Sequence, residues 1–437
     1  MNAESAVSAN VVETGKAKST RSETAVNALI RETGGWVASQ LEACTRCGLC
    51  ADGCHYYQAT GEPSYSPVWK IEILRRAYEQ RFTLGGRLRL AVGLEKPITD
   101  EDLEHWSKIV FEACTVCNKC SLVCPMGIDL GPIIHRVRGA LTAAGVTPKD
   151  LHDAVQKQIE IGSPLGLTLD RYQERLEWIT DEWEVDIPMN KKGADTLVAF
   201  TSIEMMKFPS TIAAIATILN KAGENWTIST KGREMVNFGF FEGSDEHTRL
   251  FLSRLFDAAK ELGVKRIMVS ECGHAYDALR WTAANLVQVP KGLTVTHIIA
   301  VMTDYIRSGR IKLKKGAYDN GTITFHDACK IQRRGSHIKE PREILKMLAP
   351  NSFKELTPNR EQSICCGGGG GVISIKEADP LRFAAFGLKM DQMNKIGAKT
   401  VCMVCSNCLL QFNDGLDYYK SDIKARSLSD LVSKAME

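Results

Sequence analysis

From Ala194 onward the chain alternates short apolar runs with longer helical stretches. Thr196 to Phe200, Arg266 to Ser270, Thr322 to Phe325 and Thr400 to Val404 read as strands. Glu246 to Leu262 and Pro380 to Ile396 read as helices that lead into two of them. Strands separated by helices predict an α/β arrangement. Leu262-Gly-Val-Lys-Arg-Ile-Met-Val-Ser resembles Ile396-Gly-Ala-Lys-Thr-Val-Cys-Met-Val, each a helix end with a glycine cap running into a strand. Two related α/β halves follow, residues 194 to 312 and 316 to 437.

The first part of the chain has a different texture. Val68 to Gln80 and Pro132 to Ala144 read as helices, which predicts a helical domain over 41–144. Residues 145–193 are charged and aromatic, with Trp178 and Trp183, and read as a helical connector. Residues 1–40 carry no apolar core and are expected to be a mobile arm. The whole is a mixed class: a helical domain (α+β) followed by two pseudo-repeated α/β halves.

At 437 residues the chain exceeds one core and should hold two to four domains. Its hydrophobic content of 44% and charged content of 24% are ordinary for a globular protein. A net charge of +3 gives no case for nucleic acid. The richest apolar stretch, Ile212 to Leu219, is far short of the roughly 20 residues a membrane span needs. A buried amphipathic helix explains it. No secretory signal is present, and Glu4, Glu13 and Glu23 argue against a mitochondrial presequence. The expected location is cytoplasmic, with any membrane association made through a partner subunit.

The cysteines change the picture most. Cys44, Cys47, Cys50 and Cys54 form one C-x2-C-x2-C-x3-C run, and Cys114, Cys117, Cys120 and Cys124 form another. This spacing wraps three thiolates around one [4Fe–4S] cube and sends the fourth to the cube of the other motif. One cluster is then expected on Cys44, Cys47, Cys50 and Cys124, and the other on Cys114, Cys117, Cys120 and Cys54. Zinc has no use for the third C-x2 step, and disulfides need an oxidising compartment. The first run departs from the usual pattern at His55, where proline would follow Cys54; that proline shapes the loop and does not bind iron.

A second set lies near the C-terminus: Cys329, Cys365-Cys366, then Cys402, Cys405 and Cys408, with Gly367 to Gly371 after the paired cysteines. No Lys-Ser or Lys-Thr follows the glycines, which argues against a phosphate loop, and the run matches a dinucleotide fingerprint only trivially. Glycines here permit positive φ angles and close backbone approach, and their N–H groups can stabilise a thiolate-rich centre. For the closing pair, spacing favours Cys402 and Cys405. The buried look of Val401 to Val404 favours Cys405 and Cys408, leaving Cys402 as a small core residue, and Cys405-Ser-Asn-Cys408-Leu-Leu-Gln favours the same pair by its resemblance to the closing run of a known cysteine-rich domain.

Together with His326-Asp-Ala-Cys329 and Pro341-Arg342, this pattern resembles the CCG domain of heterodisulfide reductase catalytic subunits. Behind a two-cluster ferredoxin domain it is similar to the HdrD type and to the DsrK subunits of sulfur-metabolism membrane complexes, over residues 41–437. The resemblance implies two [4Fe–4S] cubanes and one noncubane [4Fe–4S] cluster on Cys329, Cys365, Cys366, Cys405 and Cys408. It places Gly367, Gly368 and Gly369 against that cluster and makes His326, Cys365 and Cys366 the candidate catalytic residues. The implied activity is an oxidoreductase acting on disulfide, trisulfide or persulfide sulfur, or on thiols in reverse. The implied partners are quinone- or flavin-linked complex subunits and a small thiol or a DsrC-type sulfur carrier.

Other residues have two readings. Lys330, Arg333 and Arg334 could draw an anionic thiol or belong to a solvated surface. His326 and His337 are candidate proton donors to a departing thiolate, and His326 is an equal candidate for fixing the cluster loop. In the first half Thr201, Ser202 and Asn237-Phe238-Gly239 stand where cysteines are expected, so that half reads as a degenerate lid, with Cys272 and His274 either facing the cluster or serving as buried structural residues. Two alternative functions remain: an electron-relay subunit, or the iron–sulfur partner of a flavin dehydrogenase of lactate or glycerol-3-phosphate type.

Overall fold

Runs with both faces apolar become strands covered by helices. The computed structural model describes residues 19–235 and 237–437. β1 (Thr196–Ala199), β2 (Trp226–Thr227), β3 (Arg266–Val269) and β4 (Thr294–His297) form a sheet of order β2-β1-β3-β4. β5 (Ile323–Phe325), β6 (Thr400–Met403) and β7 (Lys424–Ser427) form a second of order β5-β6-β7. All pairings are parallel. β1, β3, β5 and β6 are the four strands expected from sequence, and they are almost wholly buried, as parallel strands under helices must be.

The repeat is visible in the backbone. The helix Asp245–Leu262 ends on Gly263 at φ +72° and feeds β3; the helix Asp379–Ile396 ends on Gly397 at φ +64° and feeds β6. Both glycines occupy the left-handed cap that a residue with a Cβ adopts at a cost. Past the sheets, Cys272 is the N-cap of the helix Gly273–Asp277, and Cys405 the N-cap of the helix Ser406–Tyr418. An isolated parallel bridge, Ile323 to Phe353, stands where β2 pairs with β1.

Ahead of the sheets the chain is helical. The expected helix Val68 to Gln80 is broken at Ile71 into Pro67–Lys70 and Glu72–Phe82, and the one expected from Pro132 runs Leu130–Ala143. The connector holds two helices, Lys149–Ile161 and Leu169–Trp183. Part of the expected arm, residues 1–18, lies outside the described residues. The rest is not an arm: Arg21–Glu32 and Gly35–Ala43 are helices that bury Ala25, Leu29, Val37 and Leu41. The signal was there in the capping box Thr20 to Glu23 and the apolar spacing behind it.

Arg138 joins these parts. Its fully buried guanidinium donates to the carbonyls of Val110 (2.9 Å) and Cys114 (2.6 Å), to Phe241 of the first half (2.7 Å), and to Gly370 of the second (2.7 Å). Among the described residues no helix is long and apolar enough to cross a membrane.

Candidate metal centres

The cysteines of the two runs and of the C-terminal set converge into three groups of sulfur atoms. One cavity is lined by Cys44, Cys47, Cys50 and Cys124, with Val68, Ile128 and Leu130 among its walls. A second is lined by Cys54, Cys114, Cys117 and Cys120, with Lys70 and Ile134. The fourth cysteine of each run crosses to the other cavity, the exchange the spacing predicts. The Lys70 ammonium lies 3.4 Å from Cys54 Sγ. Burial pulls it down, yet the charges of Cys54, Cys114 and Cys120 carry it above its ordinary value. Four sulfurs with apolar walls fit a [4Fe–4S] group in each cavity, and in the second Lys70 offsets its negative charge.

The third group is built by loops at the ends of β5 and β6. Cys329 follows β5, Cys365 and Cys366 come from the long loop before the helix Asp379–Ile396, and Cys405 and Cys408 start the helix after β6. Cys329, Cys366, Cys405 and Cys408 line one cavity with Gly273, His274 and Gly369. Cys366 Sγ lies 3.5 Å from Cys408 Sγ, and Cys365 completes the set through contacts with Cys329 and Cys366. Hydrogen bonds from Cys365 and Cys408 hold the Cys366 thiol below its ordinary value. Five converging sulfurs, two of them adjacent in sequence, fit an iron–sulfur cluster.

Cys402 is elsewhere. It sits in β6, fully buried, with Sγ 3.3 Å from the Thr324 carbonyl of the neighbouring strand. Replacing Cys402 with alanine is expected to leave iron content unchanged and cost about 1 kcal/mol for a small void, whereas Cys405→Ala should empty the third site. Iron per chain and a thermal midpoint measured on both variants check this.

The glycine run works by close approach as well as by conformation. Gly370, at φ +62°, lies so near the Thr115 backbone that a Cβ would sit 2.7 Å from its carbonyl. A Cβ on Gly369 would meet His274 at 2.9 Å. Of the three glycines predicted to bind the cofactor, only Gly369 lines the third cavity. The Gly367 carbonyl accepts from Tyr56 Oη at 2.7 Å, and the Gly368 carbonyl from Asn407 at 3.0 Å.

The second and third groups touch. Cys117 Sγ, Cys365 Sγ and a ring nitrogen of His55 lie within 4.8 Å of one another, and Thr115 Oγ1 is 3.3 Å from Cys365 Sγ. His55 is buried and its Nε2 has no partner. The sequence marked it only as a missing proline; nothing local shows that Cys365, hundreds of residues away, packs on it.

His326 meets the third site directly. A ring nitrogen lies within 4.8 Å of the Cys366 and Cys408 sulfurs, and both ring nitrogens lack hydrogen-bond partners. Burial, then the nearby Lys389 ammonium, lowers its pKa, so the ring is neutral near pH 7. Lys389, unremarked in the sequence, is fully buried, donates to Gln392 at 2.9 Å, and is lowered to about 8 by burial. His337 stands away, bonded to Tyr276 and Glu340.

The molecule matches known families along the same divisions. Residues 40–128 match the 4Fe-4S dicluster domain and residues 323–413 the cysteine-rich CCG domain. A Hdr-like menaquinol oxidoreductase iron-sulfur subunit of Archaeoglobus profundus is 27% identical, over 91% of this chain and 79% of its own length. One subunit of the dihydromethanophenazine:CoB--CoM heterodisulfide reductase of Methanosarcina barkeri, of the HdrD type, is 28% identical, over 91% and 94% respectively. The EtfAB:quinone oxidoreductase of Syntrophomonas wolfei is 23% identical, over 91% and 58%.

The chain joins a 4Fe-4S dicluster domain to a CCG domain, and over most of its length it is similar to HdrD-type iron–sulfur subunits.

In this chain the degenerate half still lines the CCG site. Gly273 and His274 face the cavity, and burial lowers the His274 pKa to about 4. Cys272 is buried, accepts from Asn237 Nδ2 at 3.2 Å, and has its thiol pushed up by burial. The basic trio after Cys329 is neither a solvated face nor a free anion trap. Lys330 pairs with Asp277 at 2.8 Å and Arg334 with the same carboxylate at 3.1 Å. Arg333 donates to the Cys117 carbonyl at 3.1 Å and to the Glu361 carbonyl at 2.7 Å, tying the dicluster domain to the CCG loop.

Proposed function

We propose that this subunit of a redox complex receives electrons at the Cys44 side and delivers them at the CCG site to a sulfur–sulfur bond, or runs the same chemistry in reverse. The balance is RS–SR′ + 2e⁻ + 2H⁺ → RSH + R′SH. When bound, two cubanes supply electron transfer and a noncubane cluster supplies iron that holds substrate sulfur. The observation that carries this reading is the contact of Cys117 with Cys365, which joins the dicluster domain to the CCG site without intervening protein.

The chain's own groups have defined tasks. His326, held neutral, offers an N–H to the Cys366 sulfur. Lys389 Nζ keeps a proton near neutral pH and sets a positive charge toward Cys365 and Cys366. The His55 ring, with a nitrogen within 4.8 Å of the Cys117 and Cys365 sulfurs, can turn an N–H toward them, which favours the more negative, reduced state. Replacing His55 with phenylalanine is therefore expected to lower the potential of the Cys54, Cys114, Cys117 and Cys120 centre by a tenfold shift in its one-electron equilibrium, about 59 mV. His55→Gln should recover part of it. A redox titration followed by paramagnetic resonance reads both, with the Cys44 centre as internal control.

The substrate is a disulfide, trisulfide or persulfide, and one of its two sulfurs belongs to a small thiol or to a DsrC-type sulfur-carrier protein. A small thiol added to oxidised protein should raise a new paramagnetic signal that Cys365→Ala and Cys366→Ala lack. If neither thiol nor persulfide perturbs the third site, the relay reading replaces this one; similarity to an EtfAB:quinone oxidoreductase favours that second reading.

A further inference from the structure

We infer that the short helix Leu84–Ala91 lies on an anionic lipid surface. It follows Glu72–Phe82 as the second arm of a helical hairpin in the stretch between the two cysteine runs. Its large apolar residues face out: Leu84 is 83% exposed, Leu88 64% and Val92 59%, with Phe82 at 53% and Leu94 at 80% on either side. At about 100° per residue, Leu84, Leu88, Ala91 and Val92 share one stripe, with Arg87 on one flank and Arg89 on the other.

The stripe cannot turn inward. Gly86 faces the first arm so closely that a Cβ would strike the Glu79 carbonyl, and Thr83 Oγ1 caps the turn by accepting from Gly86 N at 3.0 Å. Arg89 bonds Glu79 at 2.5 Å and Glu95 at 3.4 Å, which fixes the roll of the helix.

The chemistry of the face selects its occupant. Of the three arginines between Gln80 and Glu95, Arg89 is paired with Glu79 and Glu95, which leaves the exposed Arg81 and Arg87 to meet anionic charge. The outward stripe is aliphatic and offers no polar side chain for a protein partner to pair with. An apolar stripe between arginines is what a helix lying in the interface of an anionic bilayer presents. The contact is independent of what the CCG site does. It has a consequence for orientation: Arg46, beside Cys47, donates to Glu79 at 3.0 Å, so the loop of the Cys44 centre is fastened to the same hairpin.

Vesicle flotation of the full, cluster-loaded chain tests the inference. Vesicles of phosphatidylglycerol and phosphatidylcholine in equal parts should carry the protein up at low salt and release it as salt is raised. Phosphatidylcholine alone should carry roughly tenfold less, since it lacks the anionic charge that the arginines meet. Leu84→Glu together with Leu88→Glu should abolish flotation with cluster absorbance and circular dichroism unchanged, and Arg87→Glu should weaken it. Failure of the unaltered chain to float with the anionic vesicles overturns the inference. So does equal flotation of the double variant, which would put the lipid contact elsewhere. A double variant that still floats but no longer co-purifies with a membrane subunit would assign the face to a protein and overturn it as well.

Discussion

Changing Cys366 to alanine is expected to remove about a third of the iron bound by the chain, one [4Fe–4S] group of three, and to leave both ferredoxin-type spectra intact. Cys366 takes part only in the third group of sulfurs, where its Sγ is 3.5 Å from Cys408 and its thiolate is stabilised by hydrogen bonds from Cys365 and Cys408. The other two cavities draw on eight different cysteines. Cys272→Ala should be far milder: its thiol is buried, bonded to Asn237, and stands at the helix start equivalent to that of Cys405, without any of the other ligands in its half. Iron analysis and paramagnetic resonance on anaerobically prepared variants read the difference. Equal loss of third-site iron in the two would mean that the first half still supplies a ligand; iron equal to two groups in the unaltered protein, with both ferredoxin centres fully loaded, would remove the third site altogether.

What could be read from the sequence was what local pattern controls. β1, β3, β5 and β6 are buried along their length, so their apolar runs announce them; β4 and β7 are partly exposed edges and β2 is two residues long, so none makes a run. The exchange of Cys54 and Cys124 between cavities followed from spacing alone. The choice of Cys408 over Cys402 rested on resemblance to a family ending and on the strand expected over Val401 to Val404; the structure places Cys402 in that strand and Cys408 beyond it. His55, Lys389 and Arg138 were invisible for one shared reason. Each is a single polar residue whose meaning depends on a segment far away in the chain, and neither periodicity nor spacing encodes such a meeting. The same holds for Lys330, Arg333 and Arg334, which look like a basic patch until Asp277 and the Cys117 loop are folded against them.

Removing Arg138 should have the largest effect on stability. Arg138→Leu would strip the carbonyls of Val110, Cys114, Phe241 and Gly370 of their charged donor in a fully buried place. Charge-assisted hydrogen bonds contribute about 1.5–3 kcal/mol each, and part of that is offset because the variant no longer buries a guanidinium. A net loss of roughly 3–5 kcal/mol is expected, the range found when one partner of a buried charged arrangement is removed. Burial lowers the Arg138 pKa only to about 10, so the side chain is charged at neutral pH and the donors are present there. Arg138→Lys keeps the charge and not the fork, and an ammonium cannot reach four carbonyls in different directions; it should recover less than half of the loss. The four acceptors belong to the dicluster domain, the degenerate half and the glycine run, so the Leu variant should also let the dicluster domain melt separately. Calorimetry would show two transitions in place of one, and limited proteolysis would release a fragment carrying both ferredoxin-type centres. An unchanged midpoint with a single transition would mean that packing, and not this guanidinium, holds the second and third centres against each other.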